Sequence, residues 1–205
     1  KGGPLLLVAF RRLREKVPHA RLSIVGCRPR VREPGVEVVG FLRKDVPEER
    51  ARLEGLYRDA TVFCMPSFWE STGIVYMEAA LWGLPVVMLE GQGRESIFPS
   101  DMSVHLAEPT PERLAGVLGE LAADPARASG MGLCGRERVR ARHMWERVAR
   151  DMYEDVAGGI SPETSRDDGT SPAEAGGGGT AAAVAPRSGA ARGDTPRRPS
   201  NRPML

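Results

Sequence analysis

Apolar residues in the first three quarters of the chain follow two alternating patterns: stripes with helical spacing and short unbroken runs. The stripes predict helices because residues three or four apart share one helix face, and the runs predict strands buried on both faces. The helical stripes are Leu6/Ala9/Phe10/Leu13/Val17, Leu53/Leu56/Tyr57/Ala60, 74–82, Leu114/Val117/Leu118/Leu121 and Trp145/Val148/Met152/Val156. The apolar runs are 22–26, 36–41, 61–66, 85–89 and 103–107. This alternation predicts an α/β fold with a Rossmann-like, doubly wound parallel sheet over residues 1–156.

Loops after the predicted strands are rich in glycine. In a doubly wound sheet, ligands bind beyond the carboxyl ends of the strands, and glycine lets the backbone approach a ligand closely. The candidate loops are 26–29, 40–43, 66–73 and 90–93. We expect these loops to converge on one crevice.

Composition changes near residue 157. Residues 157–205 are rich in Gly, Ala, Pro, Ser and Arg and have almost no large apolar side chains. Such a segment buries too little surface to offset its ordering entropy, so the sequence predicts a disordered tail. Its end, 186–205, carries five arginines against one aspartate, which fits a phosphate- or partner-binding arm, a solvated tail or an erroneous coding end.

Bulk properties exclude several classes of protein. The chain has 205 residues, 41% of them hydrophobic, and a formal net charge of +2, so no strong field marks a nucleic-acid binder. No apolar run is long enough to span a membrane. Three distant cysteines (Cys27, Cys64 and Cys134) lack ligand spacing, which predicts buried reduced thiols in a cytoplasmic protein. Arginines between 136 and 147 predict a solvated helix face, with an anionic lipid surface as the alternative.

Two glutamates, Glu70 and Glu78, lie eight residues apart on either side of Gly73. One belongs to a loop and the other to the helix that the loop opens. A helix N-terminus presents free N–H groups and partial positive charge, which suit a phosphate. Two carboxylates flanking such a site can hold sugar hydroxyls, so the arrangement suggests a nucleotide-sugar pocket.

The motifs of residues 1–156 resemble the C-terminal, sugar-donor-binding domain of retaining GT-B glycosyltransferases of family 4 (glycosyl transferases group 1). The matching motifs are Lys1-Gly2 before a helix, Val25-Gly26, Val39-Gly40-Phe41, Pro66-Ser67-x-x-Glu70-x-x-Gly73-Ile74-Val75-x-Met77-Glu78-Ala79 and Gly83-Leu84-Pro85-Val86-Val87. The resemblance implies two Rossmann-like domains with the active site between them. The N-terminal acceptor domain is then missing from this chain, which begins without Met.

Catalytic roles follow from this resemblance for two residues. It implies that Glu70 binds sugar hydroxyls and faces the positive charge that develops at the anomeric carbon. It also implies that Lys1 neutralises the leaving diphosphate, although a frayed terminal lysine is an equal alternative.

Binding roles follow for eight further residues. The resemblance implies that Glu78 holds ribose hydroxyls, while the backbone of Gly73, Ile74 and Val75 meets the phosphates. The loop Gly40, Phe41 and Leu42 is a candidate edge for the base, with core packing of Phe41 as the alternative, and Gly26 lines the same crevice.

Two departures affect the sugar contacts. Thr72 replaces a common aromatic residue, and 90–95 departs from the usual Gly-Gly-x-x-Glu run, so Gly91 and Gly93 fit either a sugar-contacting loop or an ordinary one. No Asp-x-Asp element occurs before residue 157, so no metal and no cofactor are expected beyond the nucleoside-diphosphate sugar itself, with UDP or GDP as the nucleotide. The three histidines are expected to be structural.

The sequence therefore predicts the donor half of a metal-independent retaining hexosyltransferase, inactive as an isolated fragment. The alternatives are a non-catalytic nucleotide-sugar binding module and a sugar-nucleotide epimerase of the same fold. Expected partners are the nucleotide sugar and an acceptor that is a glycan, a lipid or a small molecule, with no nucleic acid. Expected localisation is cytoplasmic, with peripheral membrane contact as an option.

Overall fold

A computed structural model describes residues 2–71, 73–91 and 93–157, together with the backbone of 181–185. The elements in chain order are α1 (Gly3–Lys16), β1 (Arg21–Val25), β2 (Val36–Gly40), α2 (Pro47–Asp59), β3 (Val62–Cys64), α3 (Ile74–Leu81), β4 (Val86–Leu89), β5 (Ser103–Leu106), α4 (Pro111–Ala123), α5 (Pro125–Arg142), α6 (Trp145–Ala157) and β6 (Ala181–Ala185). The strands form one sheet in the order β2-β1-β6-β3-β4-β5.

The sheet is covered on both faces, as the unbroken apolar runs predict. Along β4, Val87 and Leu89 join the cluster formed with α1 and α4, whereas Val86 and Met88 join the cluster formed with α2, α3 and α5. Successive side chains of a strand point to opposite faces, so every residue of β4 is buried. The predicted doubly wound α/β fold is confirmed.

The strand β6 was not predicted from the sequence. It lies between β1 and β3 and runs antiparallel to both, whereas the described pairs β1–β2, β3–β4 and β4–β5 are parallel. The neighbouring edges of β1 and β3 carry backbone N–H and C=O groups that need partners, and β6 supplies them. The remainder of the predicted disordered tail after Ala157 lies outside the described residues.

Helix ends follow the local chemistry of the chain. Thr110 caps α4 as predicted, because its hydroxyl accepts a hydrogen bond from the Arg113 N–H, and Pro111 occupies the first turn. The last helix, α6, is also confirmed, but Trp145 and Val156 on its apolar stripe are exposed. Among the described residues, no helix is both long enough and apolar enough to cross a membrane.

Candidate functional site

The glycine loops after β1 and β2 meet as predicted. The Gly26 N–H donates to the Gly40 carbonyl at 2.9 Å, and both residues have positive φ angles, 87° and 84°. A Cβ at Gly40 would lie 2.5 Å from the Arg28 Nε, so the close approach of this arginine requires glycine. These loops therefore form one wall of the crevice.

The start of α1 contacts the loop that carries Glu70. Gly2 has a φ of 72°, and a Cβ there would lie 1.9 Å from the Pro66 carbonyl oxygen. Lys1 itself lies outside the described residues. Gly2 abuts the first residue of the Pro66–Gly73 loop, and the phosphate role of Lys1 stays a prediction.

Hydrogen bonds to main-chain carbonyls hold the Glu70 loop in place. The Tyr76 hydroxyl donates to the Met65 carbonyl at 2.7 Å, and the Ser67 hydroxyl donates to the Trp69 carbonyl at 2.8 Å. Both tyrosine and serine are fully buried, whereas Trp69 is 86% exposed. Buried side chains therefore hold the loop, while Trp69 is exposed and Glu70 half-buried.

Gly73 sets the direction of α3. Its φ of 67° is left-handed, and a Cβ there would lie 2.5 Å from the Tyr76 ring, so any side chain would both strain the backbone and overlap the ring. No acidic side chain occupies the first turn of α3, and Gly73 contributes no side-chain cap. The N–H groups that begin at Ile74 and Val75 therefore retain the partial positive charge expected to meet a phosphate.

Glu78 enters a cavity between α2 and α3. Its side chain is only 16% exposed, forms an ion pair with Lys44, and accepts a long hydrogen bond of 3.5 Å from the Tyr57 hydroxyl. The cavity has a volume of about 310 Å³ and is lined by Lys44, Asp45, Arg50, Leu53, Glu54, Tyr57, Glu78, Leu81 and Trp82. This space has a charged mouth and an apolar and aromatic interior, which suit a nucleoside.

Burial around Glu78 affects the neighbouring phenol. Burial, and secondarily the Glu78 carboxylate, raise the pKa of Tyr57 well above its ordinary value. The Tyr57 ring also stacks on the Trp82 ring, with an interplanar angle of 8°. Tyr57 is therefore a neutral hydroxyl at physiological pH, held next to the carboxylate.

The predicted base-binding loop, Gly40 to Leu42, ends two residues before Lys44, and Lys44 lines the cavity. Phe41 is 65% exposed, so the alternative of core packing is wrong for this side chain. Leu42 is half-buried, and Lys44 two residues later reaches Glu78. The predicted site residues Phe41 and Leu42 do not line the cavity itself.

The loop after β4 is closed on itself. Gly91 and Gly93 have φ angles of 81° and 67°, and the Gly91 N–H donates to the Glu95 carboxylate at 2.9 Å. Among the described residues, nothing lies within 4 Å of a Cβ built on either glycine. The backbone conformation, and not close packing, therefore favours glycine at these two positions. Thr72 and Gln92, the two residues in doubt for sugar contacts, lie outside the described residues.

Three further site residues were missed by sequence reasoning: Lys44, Tyr57 and Arg94. From the sequence, Tyr57 was placed only on the apolar stripe of a helix. Lys44 was missed because the predicted base-binding loop ended at Leu42. Arg94 is 3% exposed, and its Nη1 donates to the Glu70 carbonyl at 2.7 Å. An arginine directly after the predicted crevice loop 90–93 was the available signal.

Other sequence expectations concern metals and thiols. Within the described residues, no group of three or more His, Cys, Asp or Glu side chains could hold a metal ion. Cys64 is buried as predicted, and burial raises the pKa of its thiol. Cys134 is exposed on α5, so the prediction of buried thiols is wrong there.

The parallel strands, with helices on both faces, define a Rossmann-like domain. Residues 1–124 match the family model described as glycosyl transferases group 1. This match spans more than half of the chain. The chain therefore belongs to the group 1 glycosyltransferase family.

Individual relatives agree with the family. The chain is 29% identical over 77% of its length to a GDP-mannose-dependent alpha-(1-6)-phosphatidylinositol monomannoside mannosyltransferase from Mycolicibacterium smegmatis, covering 45% of that protein. It is 31% identical over 75% of its length to a D-inositol 3-phosphate glycosyltransferase from Corynebacterium urealyticum, covering 39%. Sucrose-phosphate synthase from Thermosynechococcus elongatus is structurally similar, with a TM-score of 0.58 and 26% identity over 75% of this chain and 42% of that one. The chain thus spans less than half the length of these proteins.

Proposed function

We propose that residues 1–157 bind a nucleoside-diphosphate sugar as the donor half of a retaining glycosyltransferase. The observation that carries the proposal is the arrangement along α3. Glu70 precedes this helix, Gly73 at its N-cap provides no side-chain cap, and Glu78 one turn before its end enters the cavity between α2 and α3.

Each part of the sugar nucleotide has a complementary region. The ribose hydroxyls donate to the Glu78 carboxylate, and the base enters the cavity bounded by Leu53, Tyr57 and Trp82. The diphosphate lies at the N-terminus of α3, with Lys1 as its cation. The sugar then lies beside Glu70, whose negative charge stabilises an oxocarbenium-like transition state.

Binding requires an exchange at Glu78. The carboxylate is paired with Lys44, so a ribose has to share or displace this partner. Because Lys44 is half exposed, its ammonium regains water when it moves, and the exchange costs little. Lys44 thereby orients the carboxylate before the nucleotide arrives.

The acceptor site lies beyond the described crevice in this proposal. The acceptor is a glycan, a lipid or a small molecule, and the reaction takes place in the cytoplasm, at the membrane surface when the acceptor is a lipid. The printed names of two relatives include phosphatidylinositol monomannoside and D-inositol 3-phosphate, which makes inositol-containing acceptors the first to assay. Closure over both substrates would exclude water and limit donor hydrolysis.

A second candidate function is nucleotide-sugar binding without transfer. The chain covers 45% and 39% of the two relatives described above, and all the groups assigned here concern the donor. Transfer assays with GDP-mannose or UDP-glucose and an inositol phosphate acceptor separate the two candidates. Release of GDP or UDP that depends on acceptor supports the transferase, whereas binding without turnover supports the binding module.

Calorimetry tests the shared basis of both candidates. GDP, GDP-mannose, UDP and UDP-glucose are titrated into the protein and into Glu78→Gln. We expect the substitution to weaken nucleotide and nucleotide-sugar binding alike by at least tenfold, since two hydrogen bonds to ribose lose their charged acceptor.

A matched control is Glu54→Gln, which alters another carboxylate of the same cavity, one already paired with Arg50 at 2.9 Å. This variant is expected to bind within twofold of the unaltered protein. Equal losses in the two variants would contradict the ribose role of Glu78, and no binding of any of the four nucleotides would refute the proposal.

A further inference from the structure

We infer that Arg94 is a positioning residue for Glu70 and thereby a determinant of sugar binding, as distinct from nucleotide binding. The inference rests on the proposed function. Arg94 belongs to the loop after β4, while Glu70 belongs to the loop after β3, so the contact joins two neighbouring loops of the crevice. Its Nη1 donates to the Glu70 carbonyl oxygen at 2.7 Å.

Both ends of Arg94 are fixed. Its own carbonyl accepts hydrogen bonds from the Ile97 N–H at 3.0 Å and from the Phe98 N–H at 2.8 Å. Its guanidinium carbon lies 5.4 Å from the centroid of the Tyr76 ring. A side chain anchored at its backbone and at its planar head has little rotamer freedom to lose when the sugar binds.

The ring beneath Arg94 is equally rigid. Tyr76 is fully buried, its hydroxyl donates to the Met65 carbonyl, and Phe98 packs edge-on against it with ring centroids 5.7 Å apart. Phe98, Tyr76 and Arg94 therefore form a layered support. Through the guanidinium of Arg94, this support contacts the carbonyl of Glu70.

The charge of Arg94 also acts on this loop. Burial raises the pKa of Tyr76, the guanidinium of Arg94 lowers it, and the carboxylate of Glu70 raises it, so cation and anion lie close to the same phenol. Lysine could keep the charge but not the planar stack and the fork of N–H donors.

This geometry predicts that Arg94 affects binding of the sugar and not binding of the nucleotide. Arg94 is not among the residues that line the cavity around Glu78, and its hydrogen bond to the Glu70 carbonyl lies in the loop before α3. Loss of Arg94 should therefore misplace Glu70 and leave the ribose and base contacts in place. Such selectivity is not expected from a loss of overall stability, which would lower both affinities together.

The experiment compares GDP-mannose with GDP, and UDP-glucose with UDP, by calorimetry for Arg94→Met, Arg94→Lys and the control Arg138→Met. The control removes an arginine of α5 whose Nη2 pairs with the Asp101 side chain at 3.2 Å, seven residues after Arg94 along the chain. We expect Arg94→Met to raise the Kd of the sugar nucleotide at least tenfold and the Kd of the nucleotide less than twofold. Arg94→Lys should recover part of the loss, and Arg138→Met should change neither Kd.

A double-mutant cycle identifies Glu70 as the mediator. If Arg94 acts through Glu70, Arg94→Met should add less than twofold to the loss already caused by Glu70→Gln. Equal weakening of nucleotide and sugar nucleotide, unchanged sugar-nucleotide binding, or additive effects in the cycle would each overturn the inference while leaving the proposed function intact. If Arg94→Met does not fold, the same comparison is made with Arg94→Lys. Failure of the unaltered protein to bind any of the four ligands overturns the inference together with the function.

Discussion

Two glutamates, Glu70 and Glu78, lie near opposite ends of α3 and are held in place by different means. Glu70 precedes the helix in a loop fixed through its backbone, with buried side chains donating to main-chain carbonyls. Glu78, near the other end, is held through its own carboxylate by Lys44 and Tyr57. The first arrangement fixes the position of Glu70 through the backbone of its loop. The second fixes the carboxylate itself, so a ligand has to exchange with the partners already there.

Substitution of Gly73, at the start of α3, should have the largest effect on the free energy of unfolding. Gly73→Ala places a Cβ 2.5 Å from the Tyr76 ring at a φ of 67°. Backbone strain and overlap together should lower the free energy of unfolding by about 3 kcal/mol or more. Urea denaturation measures the change.

Gly91→Ala is the matched control for Gly73. Its φ of 81° imposes similar backbone strain, but nothing lies within 4 Å of the added Cβ. The control should cost about 1 kcal/mol. Equal costs for the two substitutions would mean that the contact between Gly73 and Tyr76 does not constrain the Glu70 loop.

A pair of Tyr→Phe substitutions compares the two regions directly. Tyr76→Phe removes a 2.7 Å buried hydrogen bond to the Glu70 loop and should cost about 1 kcal/mol of unfolding free energy. The cost is limited because the Met65 carbonyl keeps the Ser67 N–H as a second partner. Tyr57→Phe removes only a 3.5 Å contact and should cost less than about 0.5 kcal/mol. The reverse order in urea denaturation would contradict the distinction between a backbone-fixed loop and a side-chain-fixed carboxylate.

The Glu70 region was the more predictable of the two. Its proline, glycine and glutamates are close in sequence, and Gly73 has a local conformational reason that a motif can encode. The Glu78 cavity depends on Lys44, which is 34 positions away, and on Tyr57 from another helix. Those partners are set by the packing of α2 on α3, which periodicity does not specify.

The sheet shows the same division between local and long-range information. The apolar runs predicted β1 to β5, and the signal was clearest for β3 and β4, whose residues are all buried. The strand β6 has a run of small residues, 181–185, in a Gly- and Pro-rich segment, and its position depends on the unpaired edges of β1 and β3. No local signal in the sequence specifies such a pairing partner.

The pH dependence of stability should report the burial of the Tyr57 hydroxyl. Burial raises the pKa of Tyr57, so its contribution to stability is complete below the unfolded-state pKa of about 10 and is lost as pH rises through the higher folded value. We expect the unfolding free energy to fall above about pH 10, and Tyr57→Phe to fall less steeply. Parallel curves for variant and unaltered protein, from urea denaturation at several pH values, would contradict this assignment.

The smallest expected effect concerns the ion pair of Lys44 with Glu78. Lys44→Met should lower the unfolding free energy by less than about 1 kcal/mol, because the lysine is half exposed, even though Glu78 is only 16% exposed and loses its cation. Arg50→Met is the control, since it breaks an exposed pair with Glu54, four residues away, on the wall of the same cavity. Lys44→Met should cost more than this control, and the difference should persist at high salt because screening weakens exposed pairs most. An equal or larger cost for Arg50→Met would mean that water, and not Lys44, stabilises the carboxylate before a nucleotide binds.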